Sequence, residues 1–179
     1  MLVRQLTKLG RKCIYTKEPF SARLKSAISF YSRTNSLQPI ALALLVAADR
    51  CLHVQYIRAQ LSLGFDVVSD RYYPSSFVYQ IIQGVPRSLI SRINQNVPTP
   101  DLLFIIDTSL KTRIERTLKR RTARTHDFFR TPQVMKKEQK LYDKLMRGWA
   151  SRPYVRILAG SKSKAQLSKD VLELTLSVA

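Results

Sequence analysis

Residues 67–76 read Val-Val-Ser-Asp-Arg-Tyr-Tyr-Pro-Ser-Ser, a valine-rich run that stops on a carboxylate, Asp70, and continues at once with a guanidinium, Arg71. In parallel α/β sheets, ligands bind just beyond the carboxyl ends of the strands. This order of residues therefore puts an acid and a cation at the mouth of a site. The planar fork of Arg71 can donate two parallel hydrogen bonds to a phosphate. Asp70 suits Mg²⁺, which prefers oxygen ligands and keeps several waters. The competing reading is a surface ion pair at a strand end.

Other stretches offer groups for the same crevice. Tyr79-Gln80 follows on a helix, where a ring can wall a sugar and an amide can read a base edge; a core tyrosine beside a surface glutamine is the alternative. Ser75 and Ser76 lie between. Arg50 interrupts an apolar helix directly after Asp49. Charges in such a setting are paired with each other or aimed at a polar ligand: Arg50 donates to a base carbonyl with Asp49 fixing it, or the two form an intrahelical pair. His53, one turn on, is expected to partner the Asp49 carboxylate. Lys17-Glu18-Pro19 lies past another strand end, either leaning on a nucleotide or forming a solvated turn. The cations between Arg113 and Arg130 fit a lid closing over transferring phosphates, a nucleic-acid face or a solvated helix. No Ser/His/Asp or Cys/His arrangement is apparent.

The elements that must position these groups alternate between strand and helix. Helical spacing of Leu2, Leu6 and Leu9, stopped by Gly10, predicts a helix over 1–9. Strands are expected at 12–16, 65–69, 101–107 and 154–158, and helices at 21–31, 39–63, 75–83, 86–94, 109–121, 133–147 and 163–178. Pro39 fits the first position of the long helix, whose buried face is expected to hold Leu42, Leu45, Val46, Leu52, Tyr56 and Leu61. The run Leu-Leu-Phe-Ile-Ile at 102–106 is continuous, as in a strand covered on both faces. The pattern as a whole implies a parallel sheet flanked by helices, an α/β three-layer architecture in one domain over 1–179.

Composition narrows the partners. Against 12 acidic residues stand 31 lysines and arginines, a net charge of +19 that favours polyanions: nucleotides, nucleic acid or an anionic membrane surface. Cys13 and Cys51 lack metal-like spacing and are expected to be core thiols of a cytoplasmic protein. The apolar run 40–48 is too short to span a bilayer, and no apolar signal core follows the basic N-terminus.

Taken in order, these pieces resemble the thymidylate kinase family of P-loop nucleoside monophosphate kinases. Thr16-Lys17-Glu18-Pro19 resembles its Thr-Arg-Glu-Pro loop, and Ala48-Asp49-Arg50 with His53 resembles Ala-Asp-Arg-x-x-His. Asp70-Arg71-Tyr72, Ser75-Ser76 and Tyr79-Gln80 resemble Asp-Arg-Tyr-x-x-Ser-Ser-x-x-Tyr-Gln, and Pro100-Asp101-Leu102 resembles the start of the following strand. Arg116, Arg120, Arg121 and Arg124 fall where the family has its basic lid, here about 116–132. The resemblance implies phosphoryl transfer from ATP to dTMP with Mg²⁺. Arg71 would grip the acceptor phosphate and Arg50 the base. Glu18, Ser75, Ser76, Tyr79 and Gln80 would line the acceptor, Asp70 would hold Mg²⁺ or its water, and Arg120, Arg121 and Arg124 would neutralise the transferring group. It also implies a homodimer, with the 40–63 helix as a candidate contact, and no membrane partner; a basic nucleic-acid-binding protein stays open as an alternative that the net charge allows.

The chain departs from that pattern in places. Val46 stands where the family has a base-stacking phenylalanine, and Phe20-Ser21 where it has Gly-Gly. The G-x-x-x-x-G-K-[ST] loop, whose backbone cradles phosphates, is not in the sequence. The expectation is that an upstream segment carries this loop and a central strand, leaving strands 65–69 and 101–107 each with an unpaired edge and ATP turnover impaired. The rival expectation is a non-catalytic relative.

Overall fold

The computed structural model describes residues 1–34, 36–119 and 131–178. Its strands are β1 (Cys13–Lys17), β2 (Asp66–Asp70), β3 (Leu103–Asp107) and β4 (Val155–Ala159). The helices are α1 (Leu2–Lys8), α2 (Ala22–Thr34), α3 (Pro39–Ser62), α4 (Ser76–Ile82), α5 (Arg87–Ile93), α6 (Leu110–Lys119), α7 (Pro132–Trp149) and α8 (Lys164–Leu176), with a 3-10 turn at Tyr73–Ser75 before α4. All pairing is parallel, as alternating strands and helices require.

The strands do not form one continuous sheet. β1 pairs with β2, β3 pairs with β4, and among the described residues no ladder joins the two pairs. β2 and β3 therefore each keep one edge outside any ladder, as expected for strands 65–69 and 101–107. The register of the first pair decides the site: Thr16 lies opposite Ser69 and Lys17 opposite Asp70, so both strands run out at one level. The Glu18 amide then donates to the Asp70 carbonyl at 3.1 Å, joining the two loops side by side. The Arg11 guanidinium locks the other end, with Nε 2.5 Å from Asp66 Oδ2.

Packing gathers around two apolar clusters. Val78, Leu145, Trp149 and Val155 bring α4, α7 and β4 together, and Ala43, Val85 and Ile90 bring α3 and α5 together. Gly160 follows β4 because no side chain fits there: a Cβ would meet Thr108 Oγ1 at 2.0 Å and the Asp107 carbonyl at 2.7 Å.

α3 differs from its expected burial. Leu42 is buried, but Leu52 and Leu61 are exposed: Leu52 points away from the side that carries Asp49, Arg50 and His53, and Leu61 lies in the last turns of the helix, past the buried stretch that ends at Val54. Cys51 is also exposed and is not a core thiol. By length and composition α3 could cross a bilayer, contrary to the short apolar run read from the sequence. Within the fold, however, its buried Asp49, Arg50 and His53 each have partners, so part of the helix belongs to the domain core.

Candidate functional site

The site begins with a buried cation. Arg50 is only 2% exposed, on the side of α3 facing the β1 and β2 loops. Burying a guanidinium is tolerable only when its N–H groups are matched. Here Nε donates to Glu18 Oε1 at 3.0 Å, Nη2 donates to Glu18 Oε2 at 2.6 Å, and Nη1 donates to Ser76 Oγ at 2.9 Å and Asn94 Oδ1 at 2.7 Å. Four elements are thereby tied to one side chain. Asn94 carried no sequence signal; its Nδ2 donates to the Ile90 carbonyl at 2.7 Å, which fixes the amide so that its oxygen faces Arg50.

Both expectations for Asp49 are corrected. It neither pairs with Arg50 nor accepts from His53. Successive helical residues point about 100° apart, so Asp49 faces the loop, where its oxygens accept the amides of Phe20 and Ser21 at 2.6 and 2.8 Å. His53 instead bridges Glu18 Oε1 (3.2 Å, from Nδ1) and Thr16 Oγ1 (2.9 Å, from Nε2). The Phe20 ring stacks on the His53 ring at 4.9 Å, so the residues standing at the Gly-Gly position fill space rather than leave it open. Glu18 is thus no solvated turn residue. Burial pushes its pKa up, but hydrogen bonds from His53 and Arg50 outweigh that and hold it below the ordinary carboxylate value.

Arg71 is placed differently. Its backbone adopts φ 71°, in the left-handed region that costs a residue with a Cβ about 1–2 kcal/mol. Ser69 Oγ, donating to the Arg71 carbonyl at 2.7 Å, helps hold that turn. The turn aims the guanidinium over the Tyr79 ring, 5.2 Å from its centroid. No carboxylate pairs with Arg71 among the described residues. Next to it, burial first and the Glu18 charge second push the Tyr72 phenol up to about 12, so it stays protonated.

One cavity of about 860 Å³ collects these groups. Its walls include Glu18, Arg50, Arg71, Ser75, Ser76, Tyr79 and Gln80, all singled out from the sequence, together with the aliphatic Ile28, Leu42 and Val46. Gln80 is buried, contrary to the surface-glutamine alternative. The opposite wall was legible only in part: Arg113 and Arg116 from α6 belong to the cation run that fits a lid, whereas Met135, Glu138, Gln139 and Tyr142 from α7 carried no site signal. Asp70 is not in the wall. Its carboxylate is exposed and accepts from the Tyr15 hydroxyl at 3.2 Å. Among the described residues no group of three or more His, Cys, Asp or Glu side chains is arranged to hold a metal. Arg120, Arg121 and Arg124 lie outside the described residues.

A buried arginine reserved by Glu18, beside an arginine that lies over a tyrosine ring without a carboxylate partner among the described residues, is an anion-binding layout with a neutralised polar floor. The family model for thymidylate kinase matches residues 1–171. The chain belongs to the thymidylate kinase family. A probable thymidylate kinase of Methanococcus maripaludis strain C7 is 34% identical over 170 residues, covering 92% of this chain and 82% of that protein. A thymidylate kinase of Brachyspira hyodysenteriae is 28% identical over 174 residues, covering 96% and 82%. For the probable thymidylate kinase of M. maripaludis strain C6, the identity is 36% over 132 residues, covering 74% of this chain and 64% of that protein. The thymidylate kinase family implies the P-loop nucleoside monophosphate kinase fold, and its members bind dTMP and ATP.

Proposed function

We propose that the cavity is the acceptor site for dTMP, which receives the γ-phosphoryl group of ATP to give dTDP and ADP. The observation that carries this reading is the sharing of one cavity by Arg71, which has no carboxylate partner among the described residues, and the Glu18-held Arg50. A phosphate docks on Arg71, whose fork matches it bidentately. The base lies toward Arg50 and the Gln80 amide, with Ser75, Ser76 and Tyr79 along the sugar. The volume falls in the range of ordinary small-ligand pockets, roughly 300–1,000 Å³. Val46 gives that end an aliphatic wall in place of a stacking ring, so bases other than thymine are expected to compete.

Mg²⁺ needs only one or two protein carboxylates when phosphates and waters complete its shell. The exposed Asp70 carboxylate, one residue before Arg71, suits that arrangement and would hold the ion directly or through a water. When bound, Mg²⁺ neutralises charge on the phosphates. Arg120, Arg121 and Arg124 are proposed to add positive charge from the segment about 116–132. The residues described build the acceptor side. The sequence has no Gly-rich phosphate loop, so slow turnover is expected of these 179 residues by themselves. A second copy is proposed to cover the exposed apolar side of α3 around Leu44 and Leu52 in a cytoplasmic homodimer.

The test is calorimetric titration of the chain with dTMP, alongside coupled measurement of dTMP-dependent ADP formation. Micromolar dTMP binding that Arg71→Gln weakens at least tenfold is expected. Absence of dTMP binding in the folded wild-type chain would remove the reading, and binding without any turnover would point to a non-catalytic nucleotide-binding relative.

A further inference from the structure

The far wall of the cavity contains a buried negative charge where an anion is to bind. Glu138 on α7 is 5% exposed, and both its oxygens are engaged. The Tyr79 hydroxyl donates to Oε1 at 3.0 Å, and Arg113 Nη2 lies 2.5 Å from Oε2. Arg113 Nη1 also donates to Gln139 Oε1 at 3.1 Å, so two α7 side chains hold this one guanidinium. A carboxylate beside a phosphate site opposes binding unless it controls a nearby cation. Among the described residues, four arginines reach the cavity: Arg50, Arg71, Arg113 and Arg116. Glu18 engages Arg50 and Glu138 engages Arg113, whereas Arg71 and Arg116 have no carboxylate partner among the described residues. Arg71 and Arg113 are linked through a short relay: Arg71 lies over the Tyr79 ring, the Tyr79 hydroxyl bonds Glu138, and Glu138 pairs with Arg113.

Resting on the nucleotide reading above, we propose that Glu138 determines how many phosphates the acceptor site takes. By engaging Arg113 it withholds a further cation from the cavity. The site is then matched to a nucleoside monophosphate: a nucleoside diphosphate, with its additional negative charge, finds Arg113 taken and is left with Arg116, whose Nη2 is turned to the Gly160 carbonyl at 3.3 Å, and it leaves more readily. Glu138→Gln keeps the size of the side chain and an acceptor for Tyr79 but frees Arg113. One unit charge exposed to a second phosphate group across a partly wet cavity is worth about a 5- to 30-fold change in binding.

The experiment is isothermal titration of the full chain with thymidine, dTMP and dTDP at two salt concentrations. In Glu138→Gln, dTDP is expected to gain about 5- to 30-fold over dTMP. That gain shrinks at high salt, and thymidine affinity moves less than about twofold because it carries no charge. The double variant Arg113→Gln with Glu138→Gln is expected to return the dTDP-to-dTMP ratio to the wild-type value, and Tyr79→Phe, which leaves both charges, is expected not to move it. Should Glu138→Gln not fold, Glu138→Asp, with a shorter reach to Arg113, carries the same test with a smaller expected gain. An unchanged ratio in a folded variant overturns the proposal, as does a parallel loss for all three ligands, which is the mark of a merely structural role. Wild-type protein that binds none of the three refutes the acceptor-site reading instead, so the two failures are told apart.

Discussion

Glu18→Gln isolates the interaction that organises the site. The carboxylate is 9% exposed and takes two donors from Arg50 and one from His53. Substituting the amide preserves shape but leaves the Arg50 guanidinium, itself 2% exposed, without a counter-charge. Breaking a buried pair by removing one partner costs about 3–5 kcal/mol. In a chain of this size each kcal/mol moves Tm by about 2–4 °C, so a drop of roughly 6–20 °C is expected. Urea and thermal denaturation followed by circular dichroism read the effect. Glu173→Gln is the control, because it breaks the Lys169 pair whose side chains are 77% and 64% exposed and is expected to change stability by under about 0.5 kcal/mol. Combining Glu18→Gln with Arg50→Gln is expected to cost less than the two singles added, by about 0.5–3 kcal/mol. A Glu18→Gln loss below about 1 kcal/mol, or strict additivity in the cycle, would show that the buried pair does not hold the loops together and refute the reasoning.

Acid titration tests the same carboxylate. The folded-state pKa of Glu18 is lowered from 4.5, so its contribution is complete above that value and is lost as pH falls through the folded value; the wild-type stability slope below about pH 4.5 is expected to flatten in Glu18→Gln. Arg71→Gly relieves the φ 71° backbone while deleting the guanidinium proposed to hold the acceptor phosphate. Denaturation is expected to show stability within about 1 kcal/mol of wild type, while titration shows dTMP affinity lost at least tenfold; equal affinity would dissociate Arg71 from the acceptor phosphate. Gly160→Ala forces a Cβ to within 2.0 Å of Thr108 Oγ1, and a loss of about 1–3 kcal/mol is expected in urea melts. Cys51 is exposed, whereas burial pushes the Cys13 thiol up in pKa, so a disulfide reagent is expected to modify Cys51 first in dilute protein. Concentrations that drive association through α3 are expected to slow that reaction, and an unchanged rate across a dimerisation measured by sedimentation would place the contact elsewhere.

Local chemistry fixed much of this protein in advance. Strand and helix order followed from apolar spacing together with Gly10, Pro39 and Gly64, and the bounds differ from the observed elements by at most three residues, the largest gap being the end of α2. The motif residues Glu18, Arg71, Ser75, Ser76, Tyr79 and Gln80 could be named because each sits past a strand end or on the helix directly after one, where local order sets direction, and Arg50 because its charge interrupts an apolar helix. What Asp49 and His53 bind could not be read that way. Neighbours in sequence suggested that Asp49 holds Arg50, but a 100° step per helical residue sends the two side chains to different parts of one loop, Asp49 to the Phe20 and Ser21 amides and Arg50 to the Glu18 carboxylate. Only the parallel register of β1 and β2 brings Glu18 under Arg50, across 32 residues. The second wall was the least legible. Glu138 looks like any carboxylate on a charged helix until α4, α6 and α7 pack and leave it 5% exposed between Tyr79 and Arg113. A side chain's type travels with the sequence, but its partner and its burial are properties of packing, and those decide whether a charge is solvated, structural or available to a ligand.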